Sequence, residues 1–180
     1  MLRITVPAAE LWDEIHEEFI YTKEQTLQLE HSLVSLSKWE SKWNRPFLGK
    51  QEKNDEEILD YVRCMTLTQN VDPEVYTRLS ADNYARINAY IEAPMTATRF
   101  YDNKQSKTSR KTITSELVYY WMISYNIPVE FQKWHLNRLL TLIRVCNAEN
   151  SPPKKRSERE LMRRNTSLNA ARRKRLGSKG

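Results

Sequence analysis

The chain has 180 residues, 39% of them hydrophobic and 29% charged, which is enough for one folded domain, or one domain plus an extension. Its apolar runs are too short for a membrane helix, no secretory leader is recognisable, and two cysteines exclude a disulfide framework. Three glycines, two of them near the C-terminus, exclude a glycine-rich phosphate loop. We therefore expect a cytoplasmic protein with no membrane partner.

The net charge of +6 is unevenly distributed. Residues 151–180 contain eleven Lys/Arg and two Glu, whereas residues 1–150 contain 18 Lys/Arg and 21 Asp/Glu. We predict a helical domain over 1–150 and a basic helical or disordered tail over 151–180. Such a tail suits nucleic acid, an acidic protein surface or an anionic membrane, or it simply remains solvated.

A small β element is predicted at the N-terminus. Residues 2–6 alternate between apolar and polar and are followed by Pro7, which is typical of a short strand. Residues 18–22 and 26–30 have the composition to complete a small sheet or hairpin.

Two helices are predicted next. The first covers residues 32–43, and Pro46 ends it. Its apolar residues recur at helical spacing: Leu33, Leu36, Trp39 and Trp43. The second begins at Asn54, because Glu57 three residues on completes a capping-box pattern.

Further helical starts and stops follow along the chain. Pro73 after Asp72 fits the first position of a helix behind its cap. Residues 80–91 predict a helix, residues 95–111 a loop, and residues 114–125 an apolar, aromatic helix.

The longest helix is expected to open at Pro128 and to reach about residue 147, with apolar residues over more than one stripe. Residues 151–153 are interpreted as a hinge, and Ser157 with Glu160 as a capping box that opens a basic helix. The predicted fold class is mainly α, with a small N-terminal β element and a basic C-terminal helical extension.

Catalytic patterns are lacking in the sequence. Its histidines are His16, His31 and His135. None has a zinc-site spacing, and we interpret His135 as a packed or hydrogen-bonded side chain. Cys64 and Cys146 are interpreted as buried, inert thiols, and the acids at 55–57 as a helix start. We expect no enzyme and no catalytic, cofactor-binding or metal site.

Aromatic and basic side chains are the candidate binding features. Aromatic residues at helical spacing form either the core or a groove that receives apolar helices of a partner. The candidate groove residues are Trp39, Trp43, Trp121, Trp134 and Leu139. The candidates for contact with acidic partners or nucleic acid are Arg163, Arg164, Arg172, Arg173 and Arg175.

Three stretches carry a resemblance to a known group of proteins. They are LEHSLVSLSKWE at residues 29–40, QKWHLNRLLTLIRVC at residues 132–146 and RNTSLNAARRK at residues 164–174. Together, over roughly residues 26–180, the chain resembles the tail assembly chaperones of long-tailed bacteriophages.

The resemblance implies a non-catalytic assembly factor without a cofactor, acting in the cytoplasm of the infected host. Such proteins bind the helical tape measure protein, keep it soluble, recruit tail tube subunits and leave before the particle is finished. In many of these phages a frameshift also produces a longer form. Because the body is acidic and the tail basic, we also expect self-association through tail-to-body contact.

Two alternatives stay open from the sequence. One is a structural protein of the virion, in the neck, tail or capsid, whose tail becomes ordered against its neighbours. The other is a nucleic-acid-binding protein that acts through residues 151–180, where Lys and Arg would release counterions from phosphates.

Overall fold

The computed structural model describes residues 1–13, 17–100, 112–151 and 158–177. The chain divides into two compact units, Met1–Cys146 and Asn147–Gly180.

The strands are β1 (Leu2–Val6), β2 (Ala9–Asp13), β3 (Glu18–Thr22) and β4 (Gln25–Leu29). The α-helices are α1 (Leu33–Trp43), α2 (Asp55–Met65), α3 (Ala81–Glu92), α4 (Ser115–Ser124), α5 (Leu136–Asn150) and α6 (Glu158–Leu176). Two short 3-10 helices cover Pro73–Arg78 and Val129–Lys133. The mainly α character and the N-terminal strands are confirmed.

The four strands form two antiparallel pairs that share one register. β1 pairs with β4 and β2 pairs with β3. Val6 lies opposite Gln25 in the first pair. Ala9, three residues after Val6, lies opposite Thr22, three residues before Gln25, in the second pair. Pro7 interrupts the ladder between them because it has no N–H to donate. The strands therefore form a single long hairpin with a break in the middle.

The first pair of strands anchors this hairpin in the first of two hydrophobic cores. Alternate residues of β1 and β4 are fully buried, which is the period-2 pattern of a half-buried strand. The core comprises Ile4, Val6, Leu27, Leu29, Trp39, Tyr61, Val62, Met65, Val75, Tyr76, Leu79, Ile87 and Tyr90.

A second core lies between α1, α4 and α5. It comprises Leu33, Leu36, Val118, Met122, Leu136, Leu139 and Ile143. Helix α1 contributes to both cores, since Leu33 and Leu36 belong to the second and Trp39 to the first. The buried Glu40 carboxylate connects α1 to α4, accepting hydrogen bonds from the backbone N–H of Phe47 at 2.8 Å and of Ser115 at 2.7 Å.

The predicted helix starts are confirmed at several positions. At α2, Asn54 Oδ1 accepts from Glu57 N–H at 2.8 Å, and Glu57 Oε2 accepts from Asn54 N–H at 2.9 Å. Asp72 Oδ1 accepts from Glu74 N–H at 3.0 Å and so caps the element that begins at Pro73, although that element is a 3-10 helix. Helix α1 ends at Trp43, three residues before Pro46, and is capped by Asn44, which adopts the left-handed conformation with φ 51°.

The prediction of a long helix from Pro128 is wrong. Pro128 opens the 3-10 helix, and α5 begins only at Leu136. The backbone between them is held by long-range bonds: Leu136 N–H donates to His31 O at 2.7 Å, and Ser32 bridges to His135. Only Leu136, Leu139 and Ile143 of α5 are buried, so its buried side is a simple stripe. The longest helix among the described residues is α6.

Some sequence predictions lie outside the described residues. These are residues 101–111 of the predicted loop, residues 152–153 of the hinge, the cap residue Ser157, and His16.

Candidate protein-binding surfaces

Two of the five candidate groove residues are core residues. Trp39 and Leu139 are both 0% exposed, and they belong to different cores. The Trp39 indole Nε1–H donates to Glu57 O at 2.9 Å, so the polar edge of the ring is also used internally. The side chains of Trp39 and Leu139 therefore pack inside the protein and do not line a groove for a partner.

Trp43 is half-buried on α1, and its polar edge also bonds within the protein. Its Nε1–H donates to Asp60 Oδ2 at 3.0 Å, while Lys42 Nζ forms an ion pair with the same carboxylate. Asp60 thus joins α1 to α2 through two side chains, and Trp43 serves this contact.

Trp121 and Trp134 are half-buried at separate places. Trp121 packs against the second core. Trp134 stacks on Phe131 with ring centroids 3.9 Å apart, and the Arg138 guanidinium lies over the Trp134 ring at 4.1 Å. The five candidates therefore do not share one groove.

An exposed apolar surface does lie next to these residues in the sequence. We use "α4 surface" for Tyr120 and Ile123 of α4, whose side chains are 63% and 76% exposed, respectively. Helix α4 is thus apolar both on its buried side and on its outer side, a pattern typical of helices that are covered on all sides.

The second pair of strands forms a second exposed surface, called the β arm here. It comprises β2 and β3, and one face carries Glu10, Trp12, Phe19 and Tyr21. Trp12 and Phe19 lie opposite each other with ring centroids 4.8 Å apart, and both are more than half exposed. A hydrogen bond to Glu10 raises the pKa of Tyr21. Strand β2 is not predictable from the sequence, because the adjacent apolar residues Leu11 and Trp12 obscure the alternation of a strand.

Helix α6 presents the third surface, which is strongly basic. Every α6 side chain that the structure describes is exposed. The five candidate arginines all lie on this helix: Arg163, Arg164, Arg172, Arg173 and Arg175. The helix also exposes three apolar side chains, at between 47% and 76%: Met162, Leu168 and Leu176.

The polar interior of the first unit centres on two histidines. His31 Nδ1 lies 2.6 Å from the Tyr61 hydroxyl, and the two imidazole rings are 5.1 Å apart. His135 Nε2–H donates to Tyr90 O at 2.9 Å, and His135 Nδ1 accepts from Asn137 N–H at 3.3 Å. His135 is therefore buried and hydrogen-bonded, as predicted.

Both histidines are held in the neutral form. Burial, together with the nearby His135, lowers the pKa of His31 from 6.5 to about 4. Burial also lowers the pKa of His135, although its hydrogen bond to Tyr90 O opposes this. Through these hydrogen bonds the pair contacts Tyr61 of α2, Tyr90 of α3 and Asn137 of α5, and both His135 nitrogens are engaged.

A cleft of about 310 Å³ opens beside His135. Its lining residues are Met1, Glu30, Tyr90, Met95, Lys133, Trp134, His135 and Arg138. Glu30 Oε1 accepts from the Tyr90 hydroxyl at 2.7 Å. Among the described residues, no group of three His, Cys, Asp or Glu is placed to hold a metal ion.

The two cysteines are half-buried rather than fully buried. Burial raises the pKa of Cys64, which keeps its thiol protonated at neutral pH. In the part of the chain that the structure describes, no helix is both long and apolar enough to cross a membrane.

No family model, curated protein or solved structure matches the chain.

Proposed function

We propose that this protein is a non-catalytic tail assembly chaperone of a long-tailed bacteriophage, which binds the tape measure protein and keeps it soluble in the host cytoplasm. The α4 surface is the observation that supports it. Tyr120 and Ile123 are three residues apart on α4 and hence neighbours on the helix surface. Exposed apolar side chains grouped in this way are typical of protein-interaction sites.

The occupant of the α4 surface is the apolar face of an amphipathic tape-measure helix. Such a helix presents anchors at helical spacing, which pack against a surface of aromatic and branched side chains. Tyr120 suits this role because its ring buries apolar area while its hydroxyl stays solvated. Helix α4 has Glu116 as its one charged residue, so desolvating its outer side costs little.

Weak contacts of this kind suit a chaperone. One tape-measure rod presents many apolar segments, so many copies bind along it and each is released without a large individual cost. Recruitment of tail tube subunits and departure from the finished particle belong to the same proposal.

Co-expression with the tape measure protein tests it, using Ile123→Asp as the binding variant. Because Ile123 is 76% exposed, the variant should keep its thermal midpoint but weaken capture of the tape measure by about tenfold or more. Leu67→Asp, at a position 52% exposed beyond the end of α2, is the matched control and should bind like the wild type. Equal capture by both variants would contradict the assignment of the α4 surface.

The virion alternative predicts a different location. Mass spectrometry of purified particles should lack this chain if it is a chaperone, and should contain it at a fixed copy number if it is a structural component.

A further inference from the structure

We propose that the β arm of one molecule binds helix α6 of a second copy, an interface that stands independently of the tape-measure assignment. A two-stranded hairpin is marginally stable alone in water, and this one exposes an aromatic face. Trp12 and Phe19 are 52% and 55% exposed and Tyr21 is 74% exposed, so a partner that covers them removes a large apolar area from water.

Charge selects the partner of the arm. Residues 9–22 contain five acids and no Lys or Arg, so two arms facing each other would repel. Helix α6 has the opposite balance, with seven Lys/Arg and two Glu. It also lacks any buried side chain among those described, whereas helices in proteins gain most of their stability by packing an apolar face against another element.

One face of α6 matches the arm in composition. Three residues of α6 lie four, seven and eight positions after Leu168 and therefore share its side of the helix: Arg172, Arg175 and Leu176. Leucines pack on aromatic rings, and arginine guanidinium groups favour both ring faces and carboxylates. The arm face offers both of these groups, through its rings and Glu10.

The two faces also match in length. The paired positions Glu10–Tyr21 and Trp12–Phe19 are two residues apart, or about 7 Å along the strands. Leu168 and Leu176 are about 12 Å apart along the helix axis. One helix face is thus long enough to cover both pairs.

The interface joins two different surfaces, so it is heterologous. A dimer still has the unused α6 of one molecule and the unused arm of the other, so association continues beyond a dimer unless a ring closes. Because charge contributes, higher ionic strength should weaken it.

Sedimentation velocity of the full-length chain tests the proposal. The wild type should show a mass that rises with concentration and falls with added salt. The arm variants are Phe19→Ala with Tyr21→Ala and, separately, the milder Glu10→Lys. The α6 variant carries Arg172→Glu, Arg173→Glu and Arg175→Glu. Each should weaken association by about tenfold or more.

Matched controls separate the surface from its overall charge. Lys38→Glu, Lys50→Glu and Arg99→Glu change the net charge as much as the α6 variant, at three exposed positions in the first unit. This control should associate like the wild type. Circular dichroism confirms that each variant is folded, and the exposed α6 positions leave both cores untouched.

Mixing gives the decisive result. An arm variant retains an intact α6 and the α6 variant retains an intact arm, so an equimolar mixture of the two should form a dimer and stop there. A wild type that is monomeric at all concentrations, or a mixture that forms no dimer, overturns the proposal. Salt-dependent binding of duplex DNA without concentration-dependent association would assign α6 to nucleic acid and overturn it equally.

Discussion

Acidification should destabilise the protein through His31. This side chain is 2% exposed, its Nδ1 lies 2.6 Å from the Tyr61 hydroxyl, and its ring contacts that of His135. A charge on His31 would be desolvated and would face a second imidazole. Its pKa is accordingly lowered from 6.5 to about 4 in the folded protein.

The sign and size of the effect follow from this shift. Since the folded pKa lies below the unfolded one, the unfolded state binds more protons between pH 4 and 6.5, and stability rises with pH there. The stabilising contribution is complete above pH 6.5 and is lost as the pH falls toward 4. Between pH 7.5 and 5 the loss from His31 alone is about 2 kcal/mol.

Urea denaturation of the wild type and of His31→Asn over this pH range measures the loss. The asparagine Oδ1 replaces Nδ1 as an acceptor for Tyr61 but does not titrate. The free energy of unfolding should fall by about 2 kcal/mol more in the wild type than in the variant. Equal losses in the two proteins would refute the account of His31 as a neutral, buried side chain.

Two further predictions concern side chains that hold the cores together. Trp39→Ala should lower the free energy of unfolding by about 3–5 kcal/mol, because the ring is fully buried and its indole N–H loses the bond to Glu57 O; chemical denaturation measures this. Glu40→Gln should cost about 1–3 kcal/mol, since an amide NH2 group would face a backbone donor at Phe47 or Ser115; a thermal shift that matches the wild type would contradict this role.

Local signals in the sequence were the most reliable guides to the fold. The capping box at Asn54 and Glu57 depends on residues three apart, and it forms as predicted. The strand predicted at 18–22 is β3 with the same bounds, although its partner β2 was missed.

Features that depend on distant contacts were not predictable in this way. The helix expected from Pro128 is interrupted because His31 and Ser32 bond to the backbone around residues 135–136, about a hundred positions later in the chain. Helical spacing predicts that Trp39 lies on the apolar face of α1, but it does not predict whether the protein core or a partner covers the ring.

The candidate surfaces also differ in whether the sequence alone predicts them. The basic character of α6 is readable directly from composition. The β arm is not, because its aromatic face exists only once Trp12 and Phe19 are placed opposite each other by pairing. Glu40 was missed for a similar reason, since its two backbone partners lie 7 and 75 residues away.

Co-expression with the tape measure protein tests the central claim most directly. The account predicts that the tape measure stays soluble and co-purifies with this chain, and that Ile123→Asp loses both effects while Leu67→Asp keeps them. A tape measure that remains insoluble and fails to retain the wild-type chain would contradict the proposed chaperone function.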